Sequence, residues 1–198
     1  MQKVQRIPKI LTKAFLGDPF MQWLFPGSDH SEKLEKWWIF ITEANSANSN
    51  SRLDVDDKNT TAAIWEKPKF EIPTGNKKEE ENESAFGQFL LGLVGDRIND
   101  VVEVLREVNA EHPKEPHWYL QAVGTDPSKQ GQGKGAAMLK PVLEICDEQG
   151  LGAYLESSNP RNLSFYYRLG FEITKDLVLD EGKAQLTCMW RSPRPTQV

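Results

Sequence analysis

The sequence predicts an α/β (α+β) domain built on one mixed β-sheet, and three observations predict it. The second half of the chain alternates strand-like and helix-like stretches and closes on a hairpin. A glycine-rich run sits where a strand hands over to a helix. The 198 residues suffice for one substantial core but not for two ordinary domains. A single domain over residues 1–198 is therefore expected.

Residues 2–16 space Val4, Ile7, Leu11 and Phe15 at close to the helical repeat, which marks an amphipathic helix disturbed by Pro8. DPFMQWLFP (18–26) reads as an aromatic-rich turn. Ser31–Thr42 reads as a second helix, whose run Trp37, Trp38, Ile39, Phe40 and Ile41 exceeds one buried stripe. That surplus either packs on a sheet or, with Phe20 and Trp23, lines an acceptor pocket. SRLDV (51–55) and TTAAIWE (60–66) read as short strands joined by a turn at Asp56–Asn59. From Pro68 to Ser84, proline and glycine punctuation followed by a charge block reads as a flexible surface loop that can cover a site. Residues 85–95 are apolar and dotted with glycine, and Ile98–Glu111 gathers Val101, Leu105 and Val108 on one helical face.

The remaining elements have clearer boundaries. WYLQAVG (118–124) is a strand, Gly133–Gln149 a helix stopped by Gly150, and GAYLESS (152–158) the next strand. Asn159-Pro160 caps a short helix that ends at Gly170. Phe171–Leu179 and Ala184–Arg191 form an antiparallel pair turned at Asp180-Glu181-Gly182.

Composition excludes several classes of function. A formal charge of -5 creates no field for a nucleic-acid backbone or an anionic membrane, so neither is an expected partner and any bound anion must be held locally. Three scattered histidines, His30, His112 and His117, and two cysteines, Cys146 and Cys188, lack ligand spacing. No metal is expected, and the cysteines read as reduced core residues. No run approaches about 18 apolar residues and the N-terminal stretch lacks a leader pattern, so a cytoplasmic location is the default.

The segment Gln130-Gly131-Gln132-Gly133-Lys134-Gly135 follows a strand and an Asp126-Pro127 turn and precedes a helix. The first amides of a helix have no intrahelical acceptors, and glycines let an anion approach them closely. A pyrophosphate fits such a place, with Lys134 either adding charge or pointing to water. A P-loop does not fit, because Ser128 stands where its first glycine belongs and Gly135 where its hydroxyl residue belongs. A dinucleotide fingerprint fails as well, because its sixth place is Ala136. A glycine-rich turn without a ligand remains the plain alternative.

Gln130-x-x-Gly133-x-Gly135 resembles the coenzyme A pyrophosphate motif of the GNAT N-acetyltransferase superfamily. Asn162-Leu163-Ser164-Phe165-Tyr166-Tyr167-Arg168-Leu169-Gly170-Phe171 resembles its downstream block, in the same order and spacing. Within the superfamily, residues 112–191 are similar to the puromycin N-acetyltransferase subgroup, through His112-Pro113-Lys114-Glu115-Pro116, Tyr154-Leu155-Glu156-Ser157-Ser158 and Pro160-Arg161-Asn162-Leu163. A weaker echo lies at Ala62-Ala63-Ile64-Trp65.

The resemblance implies a mixed sheet flanked by helices and splayed between two neighbouring strands, with acetyl-CoA in the splay. It implies cofactor contacts from Val123, Gly124, Thr125, Gln130, Gly131, Gln132, Gly133, Lys134, Gly135, Ala136, Asn162 and Tyr166. Tyr166 matches the tyrosine that protonates the leaving thiolate, its alternative role being core packing, with Tyr167 as neighbour. Glu156 is the candidate base or else a structural charge, with Glu66, Glu111 and His112 in reserve. Asp18, Phe20, Trp23 and Trp65 are candidates for the acceptor site. Superfamily members open with a strand where this sequence opens helix-like, so either the first strand is missing or the sequence begins late.

The expected activity is transfer of acetyl from acetyl-CoA to a primary amine of a small molecule, by direct attack, in a monomer or homodimer. The alternatives are a protein or peptide amine as acceptor, or a non-catalytic acyl-CoA-binding protein.

Overall fold

The computed structural model describes residues 2–70 and 77–195. Its helices are α1 (Gln2–Phe15), α2 (Pro19–Leu24), α3 (His30–Ala47), α4 (Lys77–Val94), α5 (Ile98–Ala110), α6 (Lys134–Gln149) and α7 (Leu163–Arg168). Its strands are β1 (Ser51–Val55), β2 (Thr61–Glu66), β3 (His117–Thr125), β4 (Gly152–Ser157), β5 (Glu172–Leu179) and β6 (Ala184–Arg191). The strands form one sheet in the order β1-β2-β3-β4-β6-β5, antiparallel except where β3 meets β4. Among the described residues no strand precedes α1.

Period-two alternation along the strands builds a core on each face. Ala62 and Ile64 join Ile7, Leu11, Leu34, Trp38 and Val101 beneath α1 to α5. Ala63 and Trp65 join Leu139, Val142, Cys146, Tyr166 and Phe171 beneath α6 and α7. Both cysteines are buried and unpaired, and burial pushes the Cys146 thiol up to about 12. Arg191, itself buried, holds Asp147 with two bonds of 2.8 Å and ties the end of α6 to β6.

Two stretches differ from expectation. Residues 18–26 are not simply a turn: the Asp18 carboxylate accepts from Met21 N at 3.1 Å and Pro19 takes the first helical position, which nucleates α2. The stretch 68–84 is not a loop throughout, because helix α4 begins at Lys77; residues 71–76 lie outside the described residues. Helix α4 also explains the aromatic surplus of α3. Phe40 stacks on Phe89 at 4.0 Å and Trp37 meets Phe86 at 6.0 Å, so these rings cover each other and do not line an acceptor pocket.

The sheet splits in its middle. Strands β3 and β4 pair only at His117–Gly152, Trp118–Ala153 and Tyr119–Tyr154. On the other edge of β3 the register with β2 skips Gln121, an extra residue between Leu120 and Ala122. A bulge bends the strand that carries it, and this one lies just past the last β3–β4 pair, so the strands diverge from there. Asn45 of α3 fixes the bulge: its amide donates to Gln121 Oε1 at 2.8 Å and to Ile41 O at 2.9 Å, and its oxygen accepts from Ser51 Oγ at 2.7 Å. No described helix is long and apolar enough to cross a membrane.

Candidate active site

The glycine-rich run opens α6 at the mouth of the splay. Gly131 and Gly133 adopt φ of +72° and +73°, which favour glycine, and an added Cβ at either would meet nothing within 4 Å. Gly133 caps α6 without a side-chain bond, and the first helical hydrogen bond runs from Ala137 N to Gly133 O at 3.0 Å. The amides of Gly133, Lys134, Gly135 and Ala136 therefore have no acceptor among the described residues. The nearby Asp126 carboxylate caps the preceding turn through Ser128 N at 3.0 Å and does not reach them. These residues fit a pyrophosphate by geometry.

Lys134 neither points to water nor stands free for a phosphate. Its ammonium donates to Asp56 Oδ2 at 3.2 Å and Thr60 Oγ1 at 3.0 Å, tying the opening of α6 to the β1–β2 turn. Gln130 donates to Thr125 O at 3.2 Å and so braces the loop, while Gln132 is exposed. Gly135 is a packing glycine, because a Cβ there would meet the Phe165 ring of α7 at 3.2 Å.

The β3 wall divides by residue parity. Asp126 N donates to Thr60 O at 2.8 Å, and Thr125 pairs with Thr61, so Thr125 and Val123 turn their backbone groups away from β2 and into the splay. Gly124, expected to contact the cofactor with them, turns its backbone toward β2. Its missing side chain is a requirement of α1, since a Cβ would lie 2.7 Å from Ala14 Cβ and 2.9 Å from a Leu11 methyl.

At the open end of β4 the structure brings Tyr166 and Asp18 together. Tyr166 is 7% exposed, in ring contact with Phe165 at 5.0 Å and Phe171 at 5.9 Å. Burial and then the Asp18 charge raise its phenol well above the usual value, so it is protonated at neutral pH. The Asp18 carboxyl is itself raised by burial, against hydrogen bonds from Ser158 Oγ at 2.6 Å and Met21 N. Asn162 is exposed just before α7, and Tyr167 points outward at 49% exposure. Phe20 is buried beside Trp23, which is fixed by Asp180 Oδ2 at 2.8 Å and by the Arg97 guanidinium 5.2 Å over its ring. These two residues form the wall between α2 and the β5–β6 turn.

Trp65 is not with them. It is fully buried on the α6 face against Trp118, ring centroids 6.3 Å apart, and is a core residue, which corrects its expected place at the acceptor site.

Glu156 occupies the opposite face of β4 from Tyr166, because 154 and 156 point toward α5 while 153 and 155 point toward α6. Its side chain is 6% exposed, with His112 Nε2 2.9 Å from Oε1. The contact lacks hydrogen-bond alignment, so Oε1 has no bonded donor. Tyr119 and Tyr154 close the surroundings, their rings 6.1 Å apart and 4.6 and 5.1 Å from His112. Burial, and then the Glu156 charge, raises both phenols. Of the reserves, Glu66 pairs with Lys69 at 3.2 Å and Glu111 with Lys175 at 2.6 Å.

Sequence reasoning missed Ser158, Tyr119, Tyr154 and the Asn45–Gln121 bond. The tyrosines carried a signal, since Tyr154 stands two residues before Glu156 on one strand. Asn45 carried none. Among the described residues no cluster of histidine, cysteine or carboxylate side chains is arranged to hold a metal ion.

A parted sheet with unfilled helix amides at its mouth defines an α/β protein with a candidate anion site at the split. The acetyltransferase (GNAT) family profile matches residues 52–171, and the chain belongs to that family. It is 35% identical over 101 residues to an uncharacterized N-acetyltransferase of Schizosaccharomyces pombe, covering 48% of this chain and 41% of the relative; the match thus spans about two fifths of that relative's length. The structure superposes on a histone acetyltransferase HPA2 and related acetyltransferase from Corynebacterium glutamicum with TM-score 0.69, 24% identity and coverage of 100% and 95%. Arylalkylamine N-acetyltransferase 2 from Aedes aegypti matches with TM-score 0.61, 12% identity and coverage of 98% and 95%. At these identities the two structures attest the fold. Family and fold together support acetyl-CoA-dependent acyl transfer in general.

Proposed function

We propose that this protein transfers the acetyl group of acetyl-CoA directly to a primary amine, with Glu156 as base and Tyr166 as acid. The observation that carries the reading is their placement on opposite faces of β4, beside a splay whose mouth holds free helix amides. When bound, acetyl-CoA supplies an activated acyl group. The amides of residues 133–136 would receive its pyrophosphate, and the backbone groups of Val123 and the amide of Thr125 would line the arm below.

Glu156 Oε1 takes a proton from the incoming ammonium, with the His112 ring nitrogen 2.9 Å away and its side chain 27% exposed. From the other face Tyr166 Oη gives a proton to the departing sulfur as the new C–N bond replaces the C–S bond. Of the two protons the ammonium loses, one leaves through Glu156 and the other restores Tyr166 through solvent. Asp18 and Ser158 hold the Tyr166 end of the cleft. The likeness of residues 112–191 to the puromycin N-acetyltransferase subgroup places an aminonucleoside among the amines to test.

Calorimetry with acetyl-CoA and a thiol-release assay test the proposal. The wild type is expected to bind in the micromolar range, and Gly133→Trp, which sets bulk over the amides, is expected to abolish binding. Unchanged affinity in that variant sinks the placement of the pyrophosphate.

A further inference from the structure

On the α5 face a cleft of ≈ 390 Å³ opens between the segment after α5 and the β5–β6 pair, walled by Glu111, Glu115, Tyr154, Thr174, Cys188 and Trp190. It adjoins Glu156, because Tyr154 stands two residues away on the same face of β4 and Cys188 is the cross-strand partner of Glu156. Two polar atoms are buried here with no hydrogen-bond partner, Tyr154 Oη and Glu156 Oε1. Tyr154 is 1% exposed, so its hydroxyl is aimed where bulk water does not satisfy it.

The electrostatics select the sign of the missing group. Lys175, the cation of the lining, is bonded to Glu111 at 2.6 Å, which leaves the Glu115 carboxylate without a lysine or arginine partner among the described residues, while Glu156 beside the cleft has only His112 Nε2, 2.9 Å from Oε1. The walls select its shape. The His117 ring lies 5.8 Å from both Tyr154 and Trp190, so the cleft is faced with flat rings. On β5 the register skips Thr174, whose hydroxyl donates to Cys188 O at 3.2 Å; that bulge shapes the open side. The volume falls in the small-molecule range.

We propose that this cleft receives the acceptor, and that the acceptor is a small primary amine with a flat, aromatic body. Its ammonium donates to Glu156 Oε1 and Tyr154 Oη, and its body lies between the Tyr154 and Trp190 rings. The proposal rests on the acetyl-transfer reading above and adds the substrate class and the route of entry.

The test uses the full chain, with 2-phenylethylamine, hexylamine and a hexapeptide with a free N-terminus as probes. Thiol release is expected to favour 2-phenylethylamine by at least tenfold in kcat/KM. Glu115→Arg, at the rim and outside the catalytic pair, is expected to raise its KM tenfold and leave the KM of acetyl-CoA unchanged. Thr174→Trp, which fills the open side, is expected to do the same. Tryptophan fluorescence, with Trp190 in the wall, reports amine binding without turnover. Turnover of 2-phenylethylamine with unchanged KM in both variants overturns the cleft while leaving acetyl transfer intact. Preference for hexylamine or the peptide overturns the substrate class. Failure to bind acetyl-CoA at all overturns the parent reading instead.

Discussion

Tyr166 and Glu156 acquire different chemistry from where each is buried. Tyr166 sits among rings near the Asp18 carboxyl, which keeps its proton on, whereas Glu156 carries an oxygen without a bonded donor. Tyr166→Phe is expected to lower kcat tenfold or more while calorimetric affinity for acetyl-CoA stays within about twofold, because in the proposed mechanism the hydroxyl acts only on the leaving sulfur. Glu156→Gln is expected to lower kcat/KM for the amine about 100-fold, the usual scale for losing a general base. An undiminished rate in either variant removes that residue from the mechanism. The packing of Tyr166 against Phe165 and Phe171 was legible in the sequence. The fate of Trp65 was not, because a tryptophan on a strand reads alike whether it faces a cleft or a helix, and only the packing of Trp118 and α6 decides.

The elements align these residues through close approaches that side-chain chemistry alone does not reveal. Gly124 read as part of a cofactor-binding strand, but its lack of a Cβ serves α1, which lies within 3 Å of where that atom would be. Gly124→Val is expected to push α1 off β3 and cost about 2 kcal/mol in urea unfolding, the scale of overpacking. Unaltered stability would mean that α1 shifts freely. The hinge of the sheet is a second case. The bulge at Gln121 follows from Asn45 of α3, 76 positions earlier in the chain, so no local pattern announces it. Helix α2 is the opposite case: Asp18 and Pro19 spelled a cap and first turn, obscured by the run of aromatics that follows. The helix opening at Gly133 was the most legible of all, because φ near +70° and unfilled amides are local properties of glycine and of helix ends.

At the scale of the whole molecule, the β1–β2 turn, the opening of α6 and the strand edges are fastened by Asp56. Burial opposes its ionisation, but bonds from Thr60 N, Thr61 N, Thr60 Oγ1 and Lys134 outweigh it and hold the carboxyl at about 2, below its usual 3.8. A depressed carboxyl contributes stability that is full above its unfolded pKa and is lost as pH falls through the folded one. Asp56→Asn is therefore expected to cost about 2 kcal/mol near pH 7, a difference that shrinks as urea midpoints are taken down toward pH 2. A pH-independent difference would rule out this linkage. The sequence by itself determined the fold class, the order of the strands along the chain and the glycine-rich helix start with its unfilled amides, because periodicity, capping and glycine conformation act over a few neighbouring residues. Only the tertiary structure decided that β3 and β4 part after Tyr119, that Lys134 is held by Asp56, and that Glu156 and Tyr166 flank β4 from opposite faces. Those outcomes depend on contacts between residues far apart in the chain, and such contacts exist only once the sheet has closed its two cores.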